Sequence, residues 1–229
     1  MVISQVPWRF KDICLVTVIS LLIPIISVLF SFFVLKNNKT FWEYLFGSLI
    51  SLLLIFVPIF WAKKYYRLGK ESLGIRKGKW PGKSIILISV GIGFGYFLLE
   101  SVVIGRKLVI DQVLITNTVK ILLSILSIGG FLRFILVPVS EEVYFRGFLY
   151  GYLKGRLGVK MGLFTQALIF SFFHLDFFSF SSISLLFQRF IGGLLSGILY
   201  EASDSLYPAI ITHAIFNYLI TLTVLSQIN

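Results

Sequence analysis

The chain has 229 residues, of which 57% are hydrophobic and only 14% charged, against about 25% charged in an ordinary soluble domain. Its apolar residues fall in long runs rather than in stripes of period 2 or 3.6, which excludes a soluble globular enzyme and predicts an all-α fold, a polytopic transmembrane bundle of seven or eight helices. With 19 glycines, 6 prolines and a single cysteine, Cys14, collagen-like, disordered and disulfide-stapled classes are excluded as well.

The first apolar run, about 13–35, follows Trp8, Arg9 and Lys11. It reads as an uncleaved first span, because it is longer than the ~7–15 apolar residues of a signal peptide and no small-residue cleavage site follows. Cys14 within it is expected to be a small buried residue. The second run is about 42–62, and the third, about 84–104, contains Gly91, Gly93 and Gly95, small positions that let a neighbouring helix approach closely. A weaker segment, 112–130, is interrupted by Asn117 and Lys120 and closed by Gly129 and Gly130, and is expected to lie at the interface. Four further helices are predicted over 131–153, with Pro138 inside, 161–178, 183–200, with the small series Gly192, Gly193, Ser196 and Gly197, and 206–226. Residues 1–110 are thus read as N-terminal spans and 130–226 as a core, in one integral membrane unit.

The net charge of +11 raises the question of a nucleic-acid partner, and the placement of the basic residues answers it. Lys63, Lys64, Arg67, Lys70, Arg76, Lys77, Lys79 and Lys83 share one short loop between apolar runs. Such a loop marks the cytoplasmic side and attracts anionic lipid headgroups. No zinc-finger, RNP or helix-turn-helix pattern accompanies it, so membrane lipid is the expected partner and nucleic acid is not. The turn Lys154 to Lys160 is basic too. Both can face the cytoplasm only if an even number of crossings separates them, which favours seven spans, with 112–130 not crossing.

Ionisable side chains at mid-membrane cost roughly 2.5–3.5 kcal/mol each on insertion scales and usually face a cavity or a partner. Here they fall in three segments: Ser140 to Arg146, with Glu141, Glu142 and Arg146; Phe170 to His174; and His213 to Asn217. Glu141 and His174 lie symmetrically about the Lys154–Lys160 turn, so in an antiparallel hairpin both sit about 20 Å from it at ~1.5 Å per residue. His213 and Asn217 reach about the same depth from the turn at 201–206. Glu142 and Arg146 are spaced i,i+4, as are His213 and Asn217, so each pair shares a helix face. Taken singly, each residue has a structural alternative: an intrahelical ion pair for Glu142 and Arg146, a packing hydrogen bond for each histidine, interhelical glue for Asn217. Taken together at one depth, they point to a functional site.

These segments resemble the EExxxR, FxxxH and HxxxN motifs of the CPBP family of intramembrane proteases, also called the CAAX protease and bacteriocin-processing (Abi) family. The likeness extends to Phe145 to Leu149, to Gly193, Gly197 and Tyr200, and to Ser205 to Ile210, covering about residues 130–222. The resemblance implies hydrolysis of a peptide bond in a membrane-associated peptide or protein, with prenylated tails, peptide pheromones or bacteriocin precursors as substrate types, in a multi-pass protein of a bacterial cytoplasmic membrane.

For that chemistry Glu141 is the expected general base and His174 the residue that orients the water. Glu142 and Arg146 form a supporting pair, and His213 and Asn217 supply N–H donors to the oxyanion. The same atoms allow a second version, in which Glu141, His174 and His213 hold a divalent metal such as zinc. No HExxH helix is present to force zinc, so the sequence leaves both versions open; the metal-free one is preferred, since Asn217 is a poor zinc ligand and a good oxyanion donor. A bacteriocin-immunity protein acting by binding, and a transporter, are the competing classes. The transporter is disfavoured because the two halves show no paired pattern of broken helices.

Overall fold

The computed structural model describes residues 6–34, 39–104, 132–174 and 182–226. Among them every regular element is helical. Helices α1 (Phe10–Val34), α2 (Lys39–Tyr66) and α3 (Gly82–Ile104) form the N-terminal part. The next helical run begins with a π-helical turn, Leu132–Leu136, continues through the short α4 (Val137–Glu141), widens again into a π-helix over Glu142–Tyr150 and proceeds into α5 (Gly151–Phe172). Helices α6 (Ser182–Ser203) and α7 (Tyr207–Ser226) complete the described chain. The predicted 112–130 segment lies outside the described residues.

Two helical stretches, Ser48–Tyr66 and Gly82–Leu99, are long and apolar enough to cross a membrane among the described residues. Their outer faces are apolar: Phe56, Phe60, Leu87 and Leu99 are all exposed, as suits a surface in contact with lipid tails. Cys14 is exposed on α1 rather than buried. Its thiol has no core position there, because the buried stripe of α1 runs through Asp12, Ile13, Val16 and Ser20.

α5 is broken at Gly158, whose φ of 75° and ψ of 175° reverse the chain. That is the centre of the predicted turn, and glycine adopts this left-handed conformation without a Cβ clash. The two arms pack as an antiparallel hairpin, against which α6 lies closely. A Cβ on Gly193 would stand 3.1 Å from the Ala167 Cα and 3.2 Å from the Phe170 ring. Among the α3 glycines only Gly93 serves such a contact, 3.1 Å from the Thr212 carbonyl and Ile215; Gly91 and Gly95 face open space. The three share a short stretch, but a helix turns ~100° per residue, so residues two apart cannot all face one neighbour.

The polar ends of these helices are tied together. Asp12 is buried and accepts hydrogen bonds from the Arg9 backbone N–H at 2.6 Å, from Trp61 Nε1 at 3.1 Å and from the Tyr66 hydroxyl, joining α1 to α2. Trp8 is buried against the site-bearing helix, donating from Nε1 to the Phe148 carbonyl at 3.0 Å and stacking on its ring. The basic loop docks on the turn before α7. The Lys79 N–H donates to the Ser203 carbonyl at 2.7 Å, the Leu206 N–H to the Gly74 carbonyl at 2.9 Å, and Arg76 pairs with Asp204. Lys154 in turn pairs with Glu201 at 2.7 Å. The loop 67–81, the Gly158 turn and the 203–206 turn therefore sit at one end of the bundle.

Candidate active site

Adjacent residues on a helix point about 100° apart, so Glu141 and Glu142 cannot share a face. They stand where α4 passes into the π-helix, a distortion that recurs at functional sites. Glu142 turns inward and is fully buried. Its Oε1 lies 3.1 Å from Arg146 Nη1, one turn on, and accepts from His213 Nδ1 at 2.9 Å. Arg146, also fully buried, donates from Nη2 to the Gly193 carbonyl at 3.1 Å and lies 4.4 Å over the Phe170 ring. The same Gly193 carbonyl accepts from Gln166 Nε2 at 2.9 Å. The close approach of α6 at Gly193 thus places a backbone acceptor where two buried side chains need one.

Glu141 turns towards the two histidines. Its Oε1 is 3.5 Å from His174 Nε2 and its Oε2 is 3.7 Å from His213 Nε2. Both separations exceed a direct hydrogen bond of ~2.7–3.2 Å and are short enough for one water oxygen to touch both partners. The Oε2 atom is buried and has no hydrogen-bond partner among the described residues.

The other nitrogen of each ring decides what these contacts mean. His174 Nδ1 is 2.8 Å from the Phe170 carbonyl, an atom that can only accept, so Nδ1 carries the hydrogen. His213 Nδ1 faces the Glu142 carboxylate, which is paired with arginine and likewise accepts. In the neutral form each ring therefore presents the Nε2 lone pair to Glu141. Phe170 has two roles in this arrangement: its carbonyl orients His174 four residues later, and its ring flanks Arg146 and packs edge-on against His213 at 6.3 Å. The FxxxH spacing follows from that double duty.

Five of the six predicted residues, Glu141, Glu142, Arg146, His174 and His213, are brought into one connected cluster. Asn217 lies one turn beyond His213 on α7, partly buried. Gln166 and Arg189 were not predicted. Each stands with one polar neighbour, Thr165 or Gln188, in an otherwise apolar helical run, and that is the signal that finds them: Gln166 shares the Gly193 carbonyl, and Arg189 lies within electrostatic reach of Glu141. Among the described residues no group of three or more His, Cys, Asp and Glu side chains is set to hold a metal ion, and the candidate ligands Glu141, His174 and His213 form no such group.

Described residues that are helical in every regular element, with apolar helices of membrane-crossing length and a buried carboxylate between two imidazoles, have the makings of a membrane endopeptidase. Residues 123–219 match the family described as type II CAAX prenyl endopeptidase Rce1-like, a likeness in keeping with the CPBP motifs. No curated protein and no solved structure matches the chain.

Proposed function

We propose that this protein is a multi-pass intramembrane endopeptidase that hydrolyses a peptide bond in a membrane-associated peptide, with prenylated CAAX-type tails as the substrate class the family match favours. The observation that carries the reading is the Glu141 carboxylate, held 3.5 and 3.7 Å from two Nε2 atoms, with one oxygen lacking a hydrogen-bond partner among the described residues. A water in this position meets only acceptors. It donates one hydrogen to Glu141 and the other to a histidine Nε2, which turns its lone pair outward towards an incoming carbonyl carbon. As the C–O bond forms, Glu141 takes the water proton and later delivers it to the departing amine nitrogen. Asn217 offers amide N–H donors to the oxyanion, and His213 adds one from Nε2 when its ring carries both protons.

The shared end of the basic loop, the Gly158 turn and the 203–206 turn supports an even number of crossings between Lys83 and Lys154, hence seven spans with that end in the cytoplasm. The test is Glu141→Gln, which keeps shape and hydrogen-bonding capacity but cannot take a proton. Cleavage of a farnesylated CAAX peptide by the purified protein should fall by at least about 10²-fold, the lower range for loss of a general base, at unchanged yield of folded protein. Full activity in this variant would remove the catalytic assignment.

A further inference from the structure

Arg189, Gly192 and Ser196 are spaced i, i+3, i+7 on α6 and so share one face. That face lines a partly open cavity of about 30 Å³, closed by α3 and α7 and bordered by Arg146 and Phe170 of the catalytic cluster. A water molecule needs ~10–15 Å³ of such space, so the cavity has room for about two.

The polar lining is short of partners. Arg146 is fully buried, and its Nε has no hydrogen-bond partner among the described residues. The Arg189 guanidinium and the Ser196 hydroxyl, both on the lining, make no hydrogen bond among them either. Thr212 Oγ1 and the Tyr96 hydroxyl are committed elsewhere, donating to the backbone carbonyls of Ser89 and Gln188. A buried donor without an acceptor is costly, and no Asp or Glu lines the cavity among the described residues.

The occupant that fits is neutral. Glu142 already balances Arg146 at 3.1 Å, and Glu141 lies within electrostatic reach of Arg189, so an anion would bring a surplus charge into the bundle. Water brings none; it accepts from guanidinium and hydroxyl donors and donates back to a hydroxyl oxygen. The position of the cavity gives such waters a use. His213 lines it and also holds its Nε2 3.7 Å from Glu141. Each turnover of peptide hydrolysis consumes one water at Glu141, and a peptide seated there displaces bulk water from the carboxylate.

We propose that this cavity is an internal water site, held by Arg146 Nε, Arg189 and Ser196, and the reservoir from which the hydrolytic water reaches Glu141 past His213 once a peptide is seated. The inference rests on the peptidase reading and goes beyond it by assigning a source to the second reactant. Ser196 is small, and its size keeps the space open.

The waters are read without substrate, by X-ray radiolysis of the full-length protein in detergent, with the oxidised side chains located by mass spectrometry. Radicals formed from a held water oxidise the side chains beside it. Phe216, 6% exposed and on the cavity, should be oxidised several-fold faster than Phe97, 5% exposed and off it. Ser196→Val fills the space and should bring Phe216 down to the Phe97 rate, whereas Ser196→Ala, which widens the space, should keep its oxidation fast. Ser196→Val should also lower kcat on a farnesylated CAAX peptide by roughly 10-fold or more with KM unchanged. Equal oxidation of Phe216 and Phe97 in wild type would overturn the water site. Full kcat in folded Ser196→Val with the fast oxidation lost would overturn the reservoir, and so would a lost kcat with the oxidation retained, since valine would then act through packing alone. If Ser196→Val does not fold, Ser196→Thr, which keeps the hydroxyl and adds one methyl, reads the same two quantities. Activity surviving in Glu141→Gln refutes the hydrolytic scheme instead, while the oxidation of Phe216 still decides the water site, so the two failures are distinguishable.

Discussion

Replacing Arg146 by methionine tests the buried pair at the centre of the site. Arg146 and Glu142 are both fully buried, 3.1 Å apart, and the carboxylate's remaining partner is His213 Nδ1. Removing the guanidinium strands a charge in a low-dielectric interior, a change that typically costs ~3–5 kcal/mol. The methionine loses the contact of the guanidinium with the Phe170 ring, but its sulfur can make a comparable one. The Gly193 carbonyl is not orphaned, because Gln166 Nε2 still donates to it at 2.9 Å. The loss is therefore almost wholly that of the stranded carboxylate. For a chain of this size it corresponds to a fall of ~6–20 °C in the unfolding midpoint, read by thermal unfolding in detergent. The double variant Glu142→Gln, Arg146→Met removes both charges and keeps an amide oxygen for His213 Nδ1. It should recover at least half of the lost stability, since a buried pair exchanged for neutral groups is often close to neutral. A midpoint for Arg146→Met within ~3 °C of wild type, or a double variant no better than the single one, would refute this account of the pair.

The cytoplasmic placement of the basic loop is checked with a cysteine at Lys77, which is exposed, in a Cys14→Ser background; it should resist an impermeant thiol reagent in intact cells and react after lysis. The neighbouring Gly78 is unsuitable, because a Cβ there would stand 2.3 Å from the Ser203 carbonyl oxygen. Gly193→Val should push α6 from the α5 hairpin and displace the carbonyl shared by Arg146 and Gln166. Overpacking of this kind costs ~1–3 kcal/mol, so the unfolding midpoint should fall by ~2–12 °C, and an unchanged midpoint would refute the close packing.

The depth of the site was legible in the chain because helical rise is uniform. Equal counts of residues on either side of a turn place two side chains level, and Glu141 and His174, symmetrical about the break at Gly158, meet at 3.5 Å. Pairing along one helix was legible for the same reason, as in Glu142 with Arg146. Contacts between helices depend instead on rotation about each axis. The spacing of Gly91, Gly93 and Gly95 therefore could not say that only Gly93 meets a neighbour, nor could the run around Cys14 say that its thiol points outward. The π-helical segment left no mark in the sequence, because its bonds are made by the backbone alone. Least legible was the direction of each imidazole. Two histidines at the right depth can present a donor or an acceptor to Glu141. The choice is made by atoms that carry no side-chain signal or lie far along the chain: the Phe170 carbonyl for His174 and the Glu142 carboxylate, 71 residues away, for His213. Those two acceptors take the Nδ1 hydrogens and leave both Nε2 lone pairs aimed at one carboxylate. A site lined in this way is completed by a molecule that brings its own hydrogens, and water, the second reactant of peptide hydrolysis, is such a molecule.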